Sequence, residues 1–452
     1  MNPNIFREYD IRGRVPEELN RETAYSLGQC FGAYYQSFGA KRISLGRDCR
    51  LSSPELRLGV MEGMIDAGMD VKDVGMVPTP LLYFSLHHLN VDGGIQITGS
   101  HNPPEYNGFK VCLGKTTIYG EEIQKLRRIG ESGAFTKGKG SVESKEVIQP
   151  YHEEILKRIG CGKVARKVVL DAGNGVAGLV APELYTRLGI EVEMLFCEPD
   201  GRFPNHHPDP TLPENLKDLI RKVNDSSADL GIAFDGDADR IGVVDRGGKI
   251  IWGDQLMIIF SRDLLKRHPG AKIIGEVKCS QVLYDDIRKN GGVPIMWKAG
   301  HSLIKGKMKE EGALLAGEMS GHLFFAERYF GYDDAIYAGA RLLEILTNEN
   351  KELEELLAGV PSLVSTPEIR MDCPDDQKFR IVAELAAEFK KEYQVIDVDG
   401  ARVVFNGGWG LIRASNTQPV LVLRFEAEDQ KTLQDIQKIF KDKLAKKGLG
   451  VK

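Results

Sequence analysis

The sequence has little of what would make it a disulfide-knit, zinc-held or membrane protein. Its seven cysteines, at 30, 49, 112, 161, 197, 279 and 373, are odd in number, scattered and never spaced as CxxC. That argues against a disulfide framework and against a zinc site, and they read as reduced packing residues. No apolar run approaches the roughly 18 residues of a membrane-spanning helix. The opening MNPNIFREYDIRG lacks a basic stretch followed by an apolar core, so no signal peptide is expected and a cytoplasmic location is the default. The net charge of −5 has its signs interspersed. There is no basic stripe for a polyanion, so nucleic acid is not an expected partner, although local groups of positive charge can still meet a small phosphate.

What is present is a globular composition, 42% hydrophobic and 28% charged, in 452 residues. At ~150 residues per domain that length gives about three or four domains. Glycine is abundant, 50 of 452, or about 11% against the usual ~7%. Much of the excess lies in loops such as GGWG and DAGNG, where tight turns beside a ligand favour it.

Three regions repeat one order of elements. In the first, KRISLGRD reads as a buried strand, and the following PELRLGVMEGMIDAG sets Leu56, Val60 and Met64 on one helical face. A strand at 69–75, the helical run LLYFSLHHL and the strand GGIQIT lead to the polar loop TGSHNP. The second runs KVVLDAGNG, a helix VAGLVAPELYTRLG, IEVEMLF, a helix ENLKDLIRKV and LGIAF, ending at DGDADR. The third runs AKIIGEVKCS, QVLYDDIRKNG, VPIMW, SLIKGKMKEEG and ALLA, ending at GEMSGH. Open α/β sheets bind ligands beyond the carboxyl ends of their strands, so the three loops are expected to converge on one cleft. The last region differs, with a strand EIRMD, a long helix, strands near 394–405 and 419–425 and a terminal amphipathic helix, which reads as a smaller α+β domain. Stretches 137–144 and 361–368 read as linkers. The expected division is 1–147, 148–249, 250–363 and 364–452.

Several loops hold groups suited to chemistry. Ser100, in TGSHNP, is a hydroxyl on a turn after a strand, a place for a nucleophile or phosphate carrier as well as for a plain cap. In DGDADR, Asp235, Asp237 and Asp239 follow an apolar strand, and Gly236 and Ala238 let the chain fold round one point. Three clustered carboxylates repel unless a hard cation neutralises them, and oxygen ligands suit magnesium. A calcium hand is excluded, because Arg240 stands where that loop needs glycine and Arg246 where it needs glutamate. Lys110 and Lys278 are general-base candidates if burial or neighbouring charge depresses their pKa. Glu318, Ser320 and His322 in GEMSGH suit hydrogen bonding to sugar hydroxyls. RASNTQP groups Arg413 with Ser415, Asn416 and Thr417, a donor-rich phosphate grip.

Together these loops resemble the α-D-phosphohexomutase superfamily, in particular its bacterial and archaeal phosphomannomutase/phosphoglucomutase members. TGSHNP, DGDADR, GEMSGH and RASNTQP occur in the family's order, with YDIRG at 9–13, NGFK at 107–110 and WKAGHS at 297–302. The resemblance spans essentially the whole chain. It implies four domains around a central cleft, three α/β domains of related topology and a C-terminal α+β domain. It implies that Ser100 carries a phosphate, and that this phosphate with Asp235, Asp237 and Asp239 holds Mg2+. His101 and Lys110 would assist proton transfer, with Tyr9, Arg12 and Arg240 near the transferred group. Glu318 and Ser320 look like the binders of the sugar 3- and 4-hydroxyls, lined by Lys278, His301 and His322. Arg413, Ser415, Asn416 and Thr417 look like the clamp for the phosphate that is not reacting.

The implied activity interconverts hexose 1-phosphate and hexose 6-phosphate, mannose and/or glucose, through a 1,6-bisphosphate that also serves in trace as activator. The C-terminal domain is expected to close over the cleft, and the protein to be a monomer or weak homo-oligomer. Ala238 stands where many relatives have glycine, which requires that the loop avoid positive φ there. Met319 is the form typical of mannose/glucose mutases, whereas phosphoglucosamine mutases, the nearest alternative, usually carry glutamine. An aspartyl-type sugar phosphatase is the rival from another class, since a strand ending in DxD also introduces an aspartate nucleophile. A non-catalytic binding module for metal or sugar phosphate is the third.

Overall fold

Three stretches of the chain build the same four-stranded unit. In the first, strand Arg42–Arg47 lies between the parallel strands Asp70–Met76 and Gly93–Ile97, and Tyr106–Leu113 returns antiparallel beside Gly93–Ile97. In the second, Lys167–Asp171 lies between Glu191–Leu195 and Leu230–Phe234, and Ile241–Asp245 returns antiparallel. In the third, Lys272–Glu276 lies between Val293–Trp297 and Leu315–Gly317, and Leu323–Phe325 returns antiparallel. The computed structural model describes residues 1–160, 162, 166–416 and 418–449.

The strands that lead into the polar loops are apolar because both their faces are covered. Gly93–Ile97, Leu230–Phe234 and Leu315–Gly317 are buried at every position, as expected of strands flanked by helices on both sides. The antiparallel fourth strand was not read from the sequence. Its presence makes each polar loop the connection between the third strand and the fourth: 98–105, 235–240 and 318–322 occupy one topological position in three units.

Other elements depart from expectation for simple reasons. The segment expected as a helix over VAGLVAPELYTRLG is split into a 3-10 turn Val176–Leu179 and a helix Ala181–Arg187. Pro182 has no N–H and cannot continue a helix, but it suits a first turn. Both expected linkers add an edge strand. Val142–Ser144 pairs in parallel with Asp70–Met76, and Val364–Ser365 pairs antiparallel with Val420–Ala427. Short runs of chain thus cover open sheet edges.

The last region is an antiparallel sheet in which Val420–Ala427, Gly408–Ala414, Ala401–Phe405 and Gln394–Ile396 are successive neighbours. Helices Asp375–Phe389 and Gln430–Ala445 pack on it, with the Phe389 and Phe440 rings 4.6 Å apart. Its hydrophobic core is its own. The first unit likewise has a core of its own, around Phe31, Tyr35 and Phe109, but a further continuous core joins its Leu81 and Phe84 to Leu170 and Tyr185 and to Phe260 and Phe325. The last unit meets the third through a smaller apolar patch of Val277, Trp409 and Leu411. Among the described residues no helix is long and apolar enough to cross a membrane.

Candidate active site

The loops at the third joint of the first two units meet face to face. Ser100 is buried, and its Oγ donates to Asp235 Oδ2 at 2.9 Å and lies 3.1 Å from His101 Nδ1. The backbones are in contact as well, since a Cβ on Gly236 would lie 2.5 Å from the Ser100 carbonyl oxygen. Ser100 has φ +49°, an unfavourable conformation for an L-residue that surrounding structure must enforce.

Asp235, Asp237 and Asp239 are fully buried, each offering a carboxylate oxygen within 4.8 Å of the others. At that separation each pair of full charges repels by about 3 kcal/mol at an effective dielectric constant near 20. Several groups answer this charge. Asp235 Oδ1 accepts the backbone N–H groups of Asp239 and Arg240 at 3.0 and 3.1 Å, and Thr79 Oγ1 donates to Asp237 Oδ2. Lys110, on Tyr106–Leu113, donates to Asp237 Oδ2 at 2.7 Å and also to Asp239 Oδ2. Burial, and then the charges of Asp237 and Asp239, still push the Asp235 carboxyl well above its ordinary range. Asp237 Oδ1 and Asp239 Oδ1 are buried without a hydrogen-bond partner. The cluster therefore fits a hard divalent cation, with the Lys110 ammonium supplying part of the charge.

Two expectations are corrected here. Lys110 and Lys278 were candidate bases on condition of a depressed pKa. Burial does oppose charge on Lys110, but Asp237 and Asp239 outweigh it, and its pKa is raised. Lys278 follows the same pattern, with Glu368 and Glu276 outweighing burial, and it donates to Glu368 Oε2 at 3.2 Å. Both are cations held by carboxylates. The second correction concerns Ala238, expected to avoid positive φ. It sits at +62° and its N–H bonds the Asp235 carbonyl at 3.1 Å, because only a left-handed residue turns the loop tightly enough to converge the carboxylates.

His101 adjoins the Ser100 hydroxyl. Burial, followed by the charges of Arg240 and Arg12, holds its pKa well below the usual histidine range. Arg12 reaches the same loop, donating to Asn102 Oδ1 at 2.9 Å while Asp10 Oδ2 accepts from it at 2.6 Å. Arg240 links this cluster to GEMSGH, its Nε donating to His322 Nε2 at 2.9 Å. That bond makes Nε2 an acceptor and puts the ring proton on Nδ1, which lies 3.0 Å from Asp333 Oδ2.

Glu318 lies 3.9 Å from His322 Nε2 and accepts the Gly300 N–H at 2.7 Å. Ser320 is half-buried in the same turn. His301 stacks on His322 at 5.6 Å, and its pKa is depressed by burial and then by Lys305. The cleft is closed by residues from opposite ends of the chain. Tyr9 donates to the Ala299 carbonyl at 3.0 Å and accepts from Asn416 Nδ2. Arg413 donates to Asp399 Oδ2 at 2.9 Å, and Ser415 Oγ accepts the Gln418 N–H at 3.2 Å. Thr417 lies outside the described residues.

Sequence reasoning missed Thr79, Asp399, Lys305 and Asp333. Asp333 Oδ1 accepts from Lys305 at 3.0 Å, and its carboxylate sits beneath both histidines. Its neighbour Asp334 caps the helix Ala335–Glu349, so in sequence the pair reads as a capping turn.

The strained Ala238 supplies a test. Relief of a left-handed Ala is worth about 1–2 kcal/mol, against about 0.8 kcal/mol for the buried methyl group and about 0.4–1 kcal/mol for the freer unfolded chain of a glycine. Ala238→Gly is therefore expected to change stability to urea by less than about 1 kcal/mol, with no loss of turnover. A loss well above about 1 kcal/mol, the full cost of the last two effects, would show that the φ at 238 carries no strain.

Comparison with known proteins agrees with this geometry. Residues 3–137, 149–248, 252–363 and 368–443 match, in that order, domains I, II, III and the C-terminal domain of the family described as phosphoglucomutase/phosphomannomutase. A phosphomannomutase/phosphoglucomutase of Pseudomonas aeruginosa is 51% identical over 442 residues, 98% of this chain and 95% of that protein. A phosphomannomutase of Methanocaldococcus jannaschii is 35% identical over 98% of each chain. Among solved structures, a phosphoglucomutase/phosphomannomutase family protein from Burkholderia thailandensis superposes with a TM-score of 0.93 at 46% identity, covering 100% of this chain and 99% of that one. Four matches in family order, with half of all residues shared across nearly the full length, leave one conclusion: this chain belongs to the phosphoglucomutase/phosphomannomutase family.

Proposed function

We propose that this protein interconverts hexose 1-phosphate and hexose 6-phosphate, taking mannose and/or glucose, with Ser100 as the phosphoryl carrier. The observation that carries the reading is the 2.9 Å contact between a buried serine hydroxyl and a caged carboxylate, in a cleft that also holds sugar- and phosphate-binding groups. The expected division at 147/148, 249/250 and 363/364 belongs to the same reading.

In the forward half-reaction a free hydroxyl of the hexose phosphate attacks the phosphorus on Ser100. The new O–P bond forms, the bond to Ser100 Oγ breaks, and a 1,6-bisphosphate results. The sugar hydroxyl gives up its proton as the new bond forms and Ser100 Oγ takes one up as its bond to phosphorus breaks; His101, with Nδ1 3.1 Å from Oγ, is placed to relay that proton. After the bisphosphate turns round, its other phosphoryl group returns to Ser100 Oγ. Arg413, Ser415, Asn416 and Thr417 must therefore grip the idle phosphate at either end of the sugar, and Glu318 and Ser320 the hydroxyls between. Trace bisphosphate restores Ser100 when its phosphate is lost. The separate core of the last unit supports a closing motion that keeps water from the phosphoserine.

Asp235, Asp237, Asp239 and the Ser100 phosphate would hold Mg2+. The ion supplies positive charge against the transferring group. Met319 favours neutral hexoses over hexosamines. A monomer or weak homo-oligomer belongs to the same reading, and buried free thiols such as Cys30, Cys112 and Cys279 support a reducing, cytoplasmic setting.

Incubation with glucose 1-phosphate or mannose 1-phosphate, Mg2+ and trace bisphosphate, followed by 31P NMR, is expected to yield the 6-phosphates. Ser100→Ala is expected to lose about a thousandfold or more of turnover. Release of inorganic phosphate that survives Ser100→Ala but not Asp235→Asn would establish the phosphatase instead. Mg2+ at about 100 times its dissociation constant should stabilise the native protein by ~2.7 kcal/mol. Asp237→Asn should remove most of that gain in thermal melts, and an equal gain in both proteins would place the ion elsewhere.

A further inference from the structure

Beneath the serine loop lies an arginine that touches none of the groups assigned above except through backbone. Arg50 is fully buried. Its Nη1 donates to the carbonyls of Pro103 and Tyr106 at 2.7 and 2.9 Å, and its Nη2 to those of Ser100, at 2.8 Å, and Asn102. Four carbonyls of one seven-residue stretch thus converge on one guanidinium. Its ion-pair partner holds the same loop by the opposite polarity. Asp48 Oδ2 lies 3.2 Å from Arg50 Nε and accepts the Gly99 N–H at 3.2 Å.

The surroundings leave this guanidinium no freedom. A Cβ on Gly99 would lie 2.5 Å from its Cζ. From the second unit, Gly201 presses on the Arg50 backbone, where a Cβ would lie 2.6 Å from Cα, and the Phe203 ring centroid lies 5.3 Å from Cζ. The Ser100 carbonyl is consequently gripped between Arg50 on one side and Gly236 on the other. A planar fork with five fixed donors can span carbonyls spread along a turn, whereas an ammonium offers three donors from one point.

We propose that Arg50 is a positioning residue for phosphoryl transfer, fixing the backbone of residues 100–106 so that the strained Ser100 presents Oγ to Asp235 and the cleft. This rests on Ser100 as the phosphoryl carrier. Arg50 is fully buried with both its Nη groups spent on backbone carbonyls, so it acts on the geometry of transfer and leaves substrate binding to the other loops.

The test compares native protein, Arg50→Lys, Gly99→Ala, the double variant and Ser100→Ala in the mutase assay, with melting curves for each. Misplacing a reacting group by about 1 Å costs about a hundredfold in rate. Arg50→Lys is expected to lose about that factor in kcat with KM within about threefold. Gly99→Ala, which drives a methyl group into the guanidinium, is expected to lose kcat likewise, and the double variant to lose far less than the product of the two. The inference is overturned if folded Arg50→Lys keeps kcat within about threefold of native, or if its loss matches only the fraction unfolded. It is equally overturned if KM rises instead of kcat falling. Should Arg50→Lys not fold, native kcat in folded Gly99→Ala overturns it. Native protein without mutase turnover, or an active Ser100→Ala, removes the reading on which the inference stands. Active native protein, dead Ser100→Ala and unimpaired Arg50→Lys remove the inference alone.

Discussion

Three carboxylates packed out of water within 4.8 Å of one another set the terms for everything around them. Their mutual repulsion, several kcal/mol in a partly screened interior, has to be offset by positive charge and donors supplied from elsewhere. Lys110 and Thr79 come from the first unit, Arg240 from the loop itself, and two loop N–H groups close on Asp235. To gather the acids the loop turns left-handed at Ala238, and the serine loop facing it turns left-handed at Ser100. Two strained turns thus meet, the hydroxyl of Ser100 against Asp235 and the Ser100 carbonyl against Gly236. Strain that persists in a buried, over-determined setting is the usual mark of a functional position.

The architecture explains how four distant loops reach one cleft. A unit of three parallel strands with an antiparallel fourth occurs three times, and each places a polar loop at the joint between third and fourth strand. A shared hydrophobic core fixes those three units against one another, while the last keeps a core of its own. The acidic cluster, the Ser100 loop and the GEMSGH loop are therefore set on a common body. The Arg413 loop, proposed to accept either end of a bisphosphate, sits on the unit with the lesser apolar attachment.

Much of this was legible in the sequence. The alternation of buried strands and one-faced helices gave the order of elements in each α/β unit, and the polar loops stood out because each breaks an apolar run. What could not be read depended on contacts distant in sequence. The fourth strand is hard to read because it follows each polar loop directly and, in the third unit, Leu323–Phe325 is three residues long. Lys110 is a base candidate in sequence only if its pKa is depressed, and what reverses that shift, Asp237 and Asp239, lies more than a hundred residues away. The conformation of Ala238 follows from the convergence of its flanking aspartates and not from its own preference. Arg50 looked like any charged residue near a helix start, since the carbonyls it holds belong to a loop fifty residues on. Thr417 lies outside the described residues.

The central claim is that one hydroxyl oxygen carries phosphorus beside the acidic cage. It is tested most directly by incubating the protein with 32P-labelled hexose 1,6-bisphosphate, digesting it and locating the label by mass spectrometry. The account predicts a single acid-stable phosphoserine at position 100, chased off by unlabelled hexose 6-phosphate. A hydroxylamine-labile label on an aspartate, or a label on Ser100 that no hexose phosphate removes, would contradict it.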